Sequence, residues 1–290
     1  MRLISYDING CAAIGVVKSA AATDFVDLGA AAPNLPSDMT ALLAMPDGLA
    51  AAKAAAEKAP ASAVKPLAGI RYLPLVPRPP KIICLGLNYA DHAKEGGHAK
   101  PEFPSFFMRG AVSQVAHQQA IIRPKASSKL DYEAELAVII GKHARHLTKA
   151  DALDCVAGYS CYNDGSIRDF QRRGTQWTLG KNFDKTGGFG PWLVTPDELP
   201  AGAVGLRIQS RLNGKIMQDA NTSDFLFDVV ESLCIITECI TLEPGDVIIT
   251  GTPAGVGYAR TPPVWMAPDD VCEIDIEGVG ILSNTIADET

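Results

Sequence analysis

The chain has 290 residues, 47% hydrophobic and 20% charged, which is long and apolar enough to bury a sizeable core and excludes a disordered or disulfide-stapled chain. Its 26 basic residues against 33 acidic ones give a net charge of −7 with no block of Lys or Arg, so neither nucleic acid nor an anionic membrane is an expected partner and a small molecule is. Seven cysteines, an odd number without a C-x-x-C pair and with apolar neighbours around Cys84 and Cys234, read as reduced thiols of a cytoplasmic protein. The N-terminus turns polar too early for a secretory leader, and no run approaches eighteen uninterrupted apolar residues.

Taken in chain order, 3–6 and 14–17 are short Ile/Val-rich strand signals, followed by an alanine-rich helical tract over 45–65 that Pro46 and Pro60 interrupt. A small strand-plus-helix domain over 1–75 is expected. The run Leu73-Pro-Leu-Val-Pro-Arg-Pro-Pro80 lacks backbone donors at four positions and cannot continue a helix, which places a boundary there and a larger domain over 76–290. In that domain 82–87, 133–141, 156–162, 206–212, 247–250, 271–276 and 281–286 are β-type runs, the last two joined by a hairpin turn at Glu277-Gly-Val-Gly280. One long amphipathic helix is predicted over 224–240. Helices do not alternate regularly with strands, which argues for a β-rich α+β fold and against a doubly wound sheet or (β/α)₈ barrel.

Asn88-Tyr-Ala-Asp-His92-Ala-Lys-Glu95 follows a strand, and His92 and Glu95 at helical spacing put a carboxylate beside an imidazole. That is a general-base pair or a chance pairing on an exposed helix. In Lys129-Leu-Asp-Tyr-Glu133-Ala-Glu135-Leu-Ala-Val-Ile-Ile-Gly141 a period of two puts Asp131, Glu133 and Glu135 on one face that runs on into Ala137 and Ile139. Two half-buried carboxylates about 7 Å apart repel by about 2.4 kcal/mol at an effective dielectric of 20, a cost that a hard cation such as Mg²⁺, Mn²⁺ or Ca²⁺ removes. The alternative is a solvated strand end. Asp164, in Asn-Asp-Gly at the close of a strand, is either a further acid at a sheet rim or part of an ordinary turn. Gly180-Lys181-Asn-Phe-Asp184 is not a phosphate loop, since Asn182 stands where Ser or Thr belongs; Lys181 is instead placed to stabilise an oxyanion or move a proton. Thr250-Gly-Thr-Pro-Ala-Gly-Val-Gly257 is a tight loop whose N–H groups face an anion or simply connect two elements. His143 and His146 sit in a basic, solvated connector, and no nucleophile elbow or zinc-type cluster occurs.

These segments, in this order from about 81 to 287, resemble the fumarylacetoacetate hydrolase family. Gly86-Leu-Asn-Tyr-Ala-Asp-His92, Asp131-Tyr-Glu133-Ala-Glu135, Asn163-Asp164 with Arg168-Asp-Phe-Gln171, Gly180-Lys181-Asn-Phe-Asp184 and Thr250-Gly-Thr-Pro253 carry the resemblance together. It implies a rolled, largely β fold and a divalent cation, Mg²⁺ or Mn²⁺ with Ca²⁺ as a third option, held by Glu133, Glu135 and Asp164. It also implies His92 with Glu95 as the water-activating pair on a lid, Lys181 at the developing enolate, and Tyr89, Arg109, Arg168, Gln171 and Thr252 around the substrate. Arg109 stands where many relatives carry Lys, and Asp184-Lys185-Thr186 replaces a small hydroxyl residue of better-known members. The leading expectation is hydrolysis of a carbon–carbon bond in a 2,4-dioxo acid, releasing a pyruvate-type enolate. The alternatives are an oxaloacetate-type decarboxylase using the same enolate site and a non-catalytic metal or ligand binder. A homodimer is implied by the resemblance alone.

Overall fold

The computed structural model describes residues 1–90 and 102–290. His92 and Glu95, with the lid on which they were expected, lie outside the described residues. The fold is built around a mixed sheet which, among the described residues, has twelve strands. Its centre is formed by Gly187–Val194, Val156–Asp164, Ala134–Ile140, Val247–Ile249 and Ile82–Gly86, in that spatial order. All neighbours in this centre are antiparallel except Val247–Ile249 against Ile82–Gly86.

Both faces of these central strands are covered, which is why their sequences read as near-continuous apolar runs rather than alternating ones. Leu136, Val138 and Ile140 join one core with Ile208 and Ile274 of a second, five-stranded sheet and with Leu233 and Ile236 of the long helix. Ala137 and Ile139 face the other way, into a core with Leu42, Leu43 and Ala52 from the N-terminal helices. The β-rich α+β class expected from the sequence is the one observed.

The first strands, Arg2–Ile8 and Cys11–Val17, form a hairpin whose turn is Asn9-Gly10, both at positive φ (53° and 85°). Asn-Gly is suited to such a two-residue turn because both residues tolerate the left-handed region. Arg2 and Leu3 then pair with Val194 and Leu193, so the segment 1–75 extends the same sheet as the rest of the chain. The proline run over 73–80 forms no regular element. The long helix is Val229–Cys239, shorter at its start than the periodicity predicts. Leu226 and Phe227 instead donate their N–H groups to Asn88, at 2.8 Å each. Asp228 then caps the helix by accepting from the N–H of Glu231 at 2.8 Å. Among the described residues no helix is long and apolar enough to cross a membrane.

One histidine joins the segment 1–75 to the last strand, Gly280–Asp288. The Nδ1 of His117 accepts from the N–H of Ser283 at 3.1 Å, and its ring meets Tyr72 edge-on at 4.9 Å. Burial lowers its pKa from 6.5 to about 4. The unfolded chain therefore binds a proton that the folded chain refuses, so stability is full above pH 6.5 and is lost as pH falls through about 4. The expected loss is up to about 3 kcal/mol at 1.36 kcal/mol per unit. Urea unfolding at pH 7 and at pH 4.5 should show His117→Asn with a clearly shallower pH dependence than the wild type; equal slopes would remove His117 from the account.

Candidate active site

Three carboxyl groups meet at one end of the central strands. Oxygens of Glu133, Glu135 and Asp164 lie within 4.8 Å of one another, and all three residues are buried. Glu135 sits in Ala134–Ile140 and Asp164 ends the adjacent Val156–Asp164. The pairing of Ala134 with Asn163 brings the two strand ends side by side. The chain does not run as one strand from Asp131 to Gly141, because Tyr132 and Glu133 interrupt it. At that break the N–H of Glu133 donates to Asn163 Oδ1 at 3.0 Å, and the N–H of Asp164 donates back to the Glu133 carbonyl at 3.0 Å. The third acid of the expected face, Asp131, is not in the triad. It accepts from Arg168 Nε at 2.8 Å and from the N–H groups of Gly257 and Tyr258 at 2.8 and 3.1 Å.

Fixed cations surround the triad. The Lys181 ammonium donates to both Glu133 and Asp164, the latter at 2.5 Å. Arg168 spans Asp131 and Glu133, and its NH1 also donates to Gln171 Oε1 at 2.9 Å. Arg109 reaches Asp164 Oδ1 at 2.5 Å from behind, with further bonds to the Gly165 carbonyl, Thr186 Oγ1 and Ser113 Oγ. Glu135 accepts the N–H of Gly251 at 2.5 Å. Burial and then the charges of Asp164 and Glu133 push its carboxyl well above the usual range. A buried carboxyl that resists ionisation beside two others, all hard oxygen donors, fits a divalent cation, which would be held by Glu133, Glu135 and Asp164.

The triad opens into a cleft of about 470 Å³ whose walls include Leu87, Gln171, Arg172, Trp177, Thr252 and Tyr258. Local backbone geometry shapes it. Leu87 takes φ 58°, a conformation costing roughly 1–2 kcal/mol for a side chain. The next residue offsets that cost: buried Asn88 donates to the carbonyls of Phe227 and Thr250 at 3.0 and 2.7 Å and accepts from the N–H of Phe227. Gly251 is at φ +92°, and a Cβ there would meet that of Asn88 at 2.7 Å, so a glycine is required where this loop hands its N–H to Glu135. A larger groove, about 660 Å³, lies beyond the Phe170 and Leu179 segment and is lined by none of the triad.

Of the residues expected at the site, Glu133, Glu135, Asp164, Lys181, Arg168, Gln171 and Thr252 line this cleft. Thr252 Oγ1 accepts from Gln218 Nε2 at 2.7 Å. Tyr89 and Arg109 do not line it. Tyr89 is buried against Phe225, with its ring 5.0 Å away. Arg109 is fully enclosed behind Asp164. Sequence reasoning passed over Arg172, Trp177 and Tyr258 on the cleft wall, and Asp131 as the anchor of Arg168. Asp131 alone carried a signal, as a third acid on the predicted face.

A buried carboxylate triad able to hold a divalent cation, at one end of the central strands and with a buried lysine shared between two of its members, is the arrangement of a metal-dependent enzyme. Residues 81–287 match the model of the fumarylacetoacetate (FAA) hydrolase C-terminal domain, and the chain belongs to that family. Over 265 residues it is 39% identical to the mitochondrial oxaloacetate tautomerase FAHD2A of Bos taurus, covering 90% of this chain and 83% of that protein. The fumarylacetoacetate hydrolase of Exiguobacterium antarcticum superposes with a TM-score of 0.84 at 34% identity, covering 100% of both chains. Maleylpyruvate hydrolase from Sphingobium sp. SYK-6, solved with manganese(II) and pyruvate, does so with a TM-score of 0.80 at 30% identity, again over 100% of both chains.

Proposed function

We propose that the protein interconverts the keto and enol forms of a 2-oxo dicarboxylic acid, with oxaloacetate as the representative substrate. The observation that carries this reading is the Lys181 ammonium, buried and shared by Glu133 and Asp164. Negative charge developing on an oxygen held at the triad has a fixed cation at hand. The likeness to an oxaloacetate tautomerase over 90% of the chain supports it.

A divalent cation bound by Glu133, Glu135 and Asp164 supplies Lewis acidity that makes a proton next to the 2-oxo group easier to remove. Burial works against the charge of Lys181, but Asp164 and Glu133 more than offset it and hold its pKa above the ordinary lysine value. Fixed by these two carboxylates, Lys181 is placed to donate to the enolate oxygen. Arg168 keeps Glu133 oriented and presents Gln171 to the cleft. The proton on carbon is assigned to His92 with Glu95, on the sequence pattern alone.

A second reading, hydrolysis of a carbon–carbon bond in a 2,4-dioxo acid, is supported by the likeness to maleylpyruvate hydrolase and uses the same pair to activate water. Both are tested by stripping the protein of metal, restoring Mg²⁺ or Mn²⁺, and following oxaloacetate enol decay and maleylpyruvate cleavage in the ultraviolet with product identification. Metal-dependent tautomerisation that falls by about 10² or more in kcat in Lys181→Met is the expected result. Cleavage products without accelerated tautomerisation would transfer the assignment to the hydrolase, and acceleration of neither reaction sinks both.

A further inference from the structure

The cleft contains a cation that the triad does not use. After the short helix Arg168–Gln171 come two adjacent arginines with different fates. Arg173 packs its guanidinium on Phe170, 3.5 Å from the ring centroid. Arg172 instead lies on the cleft wall, its guanidinium 4.4 Å from the centroid of Tyr258. Arg168 is 4.5 Å from the same ring. Arg168 is neutralised by Asp131 and Glu133, whereas Arg172 makes no ion pair among the described residues.

Charge balance indicates what that cation is for. Among the described residues, the buried network holds four carboxyl groups, Asp131, Glu133, Glu135 and Asp164, and three cations, Arg109, Arg168 and Lys181. With all of them ionised it carries one negative charge. A divalent cation at the triad makes this one positive charge, which a single carboxylate of a 2-oxo acid cancels. Arg172 adds a second positive charge on the wall of the same cleft, which a monoanionic acid leaves unmatched.

We infer that Arg172, seated on the face of Tyr258, is the specificity residue that receives the second carboxylate of the substrate and so selects dicarboxylic over monocarboxylic acids. This rests on the reading of the triad as the seat of a 2-oxo acid. Tyr258 is suited to hold it: its own N–H is bonded to buried Asp131, and an aromatic face orients a guanidinium without consuming its N–H donors. A planar fork then meets a carboxylate with two parallel bonds.

The test uses acids that share a chelating head, differ by one carboxylate and have no 2-oxo group to enolise. Isothermal titration of the Mn²⁺-loaded protein with L-malate and with L-lactate should show malate bound about tenfold tighter or more, the order expected of a charge-assisted contact. Arg172→Gln should bring malate to the affinity of lactate while leaving lactate unchanged, and Arg172→Lys should restore part of the preference. A malate preference that survives in Arg172→Gln overturns the inference, as does a wild type with no preference. Equal weakening of both acids also overturns it, because Arg172 would then only shape the cleft. These outcomes are read without turnover, so failure of the oxaloacetate assay removes the proposed reaction and leaves the assignment of Arg172 to the malate and lactate result.

Discussion

Replacing Glu135 by glutamine is expected to abolish divalent-cation binding and turnover while making the cation-free protein more stable. The two effects have one cause. Glu135 is buried within 4.8 Å of Glu133 and Asp164; ionised, it meets repulsion of about 3 kcal/mol per contact at an effective dielectric of 20, and protonated at its raised pKa it carries the linked cost of holding a proton that the unfolded chain releases. Lys181 offsets part of this, so relief on the order of 1–3 kcal/mol is the reasonable scale for the neutral side chain. Glutamine keeps an oxygen for the N–H of Gly251, the backbone contact that Glu135 makes. Its amide also offers donors to the neighbouring carboxylates. For the cation, loss of a ligand and loss of a negative charge act in the same direction, so affinity should fall by well over the roughly tenfold to hundredfold typical of indirect partners. Urea unfolding in chelator, paired with Mn²⁺ titration, checks both halves. A variant that is less stable than the wild type in chelator, or one that binds Mn²⁺ as tightly, would show that Glu135 is not held at the expense of the fold.

How much of this was legible in the sequence depends on how far apart in the chain the interacting groups lie. The closeness of Glu133 and Glu135 is local and survives into the structure, even though Tyr132 and Glu133 break the strand. Asp164 could be read only as a strand end; that it lands beside Glu135 follows from the pairing of Ala134 with Asn163, across 29 positions of chain, which no local pattern records. The long helix was visible from its periodicity, but its start was not, because the helical pattern of Leu226 says nothing of the hydrogen bond that the Asn88 carbonyl accepts from it, 138 positions away in the chain. The attachment of the first strand to Leu193 and Val194 is equally invisible, since the proline run over 73–80 is as consistent with a linker as with a connector lying along one shared sheet. Arg109 shows the same limit in charge: its position suggested a contact with a substrate carboxylate, and the carboxylate it meets is the protein's own.

Arg109→Met is expected to cost the cation-free protein about 3–5 kcal/mol, and added Mn²⁺ should recover more stability in this variant than in the wild type. The guanidinium is completely buried and makes four contacts: NH1 to Asp164 at 2.5 Å and to the Gly165 carbonyl at 3.1 Å, NH2 to Thr186 Oγ1 at 2.9 Å, and Nε to Ser113 Oγ at 3.1 Å. Despite burial, the neighbouring Tyr162 and Asp164 push its pKa above the ordinary arginine value, so it is always charged. Its removal leaves Asp164 with one buried cation, Lys181, where it had two. Two effects then compete at the triad. Loss of the fork lets Asp164 swing, which weakens a cation site; loss of a positive charge makes the site more attractive to a cation. Charges about 4 Å apart interact by about 4 kcal/mol at an effective dielectric of 20, whereas loss of an orienting partner typically costs 10- to 100-fold in metal affinity, or about 1.4–2.7 kcal/mol. The charge effect should win. Arg109→Lys keeps the charge but offers one nitrogen in place of three, so it should recover stability only in part and show a wild-type gain on adding Mn²⁺. Thermal unfolding of the three proteins with chelator and with excess Mn²⁺ decides the matter. A smaller metal-induced gain in Arg109→Met than in the wild type would mean that orientation of Asp164, not its neutralisation, is what Arg109 contributes.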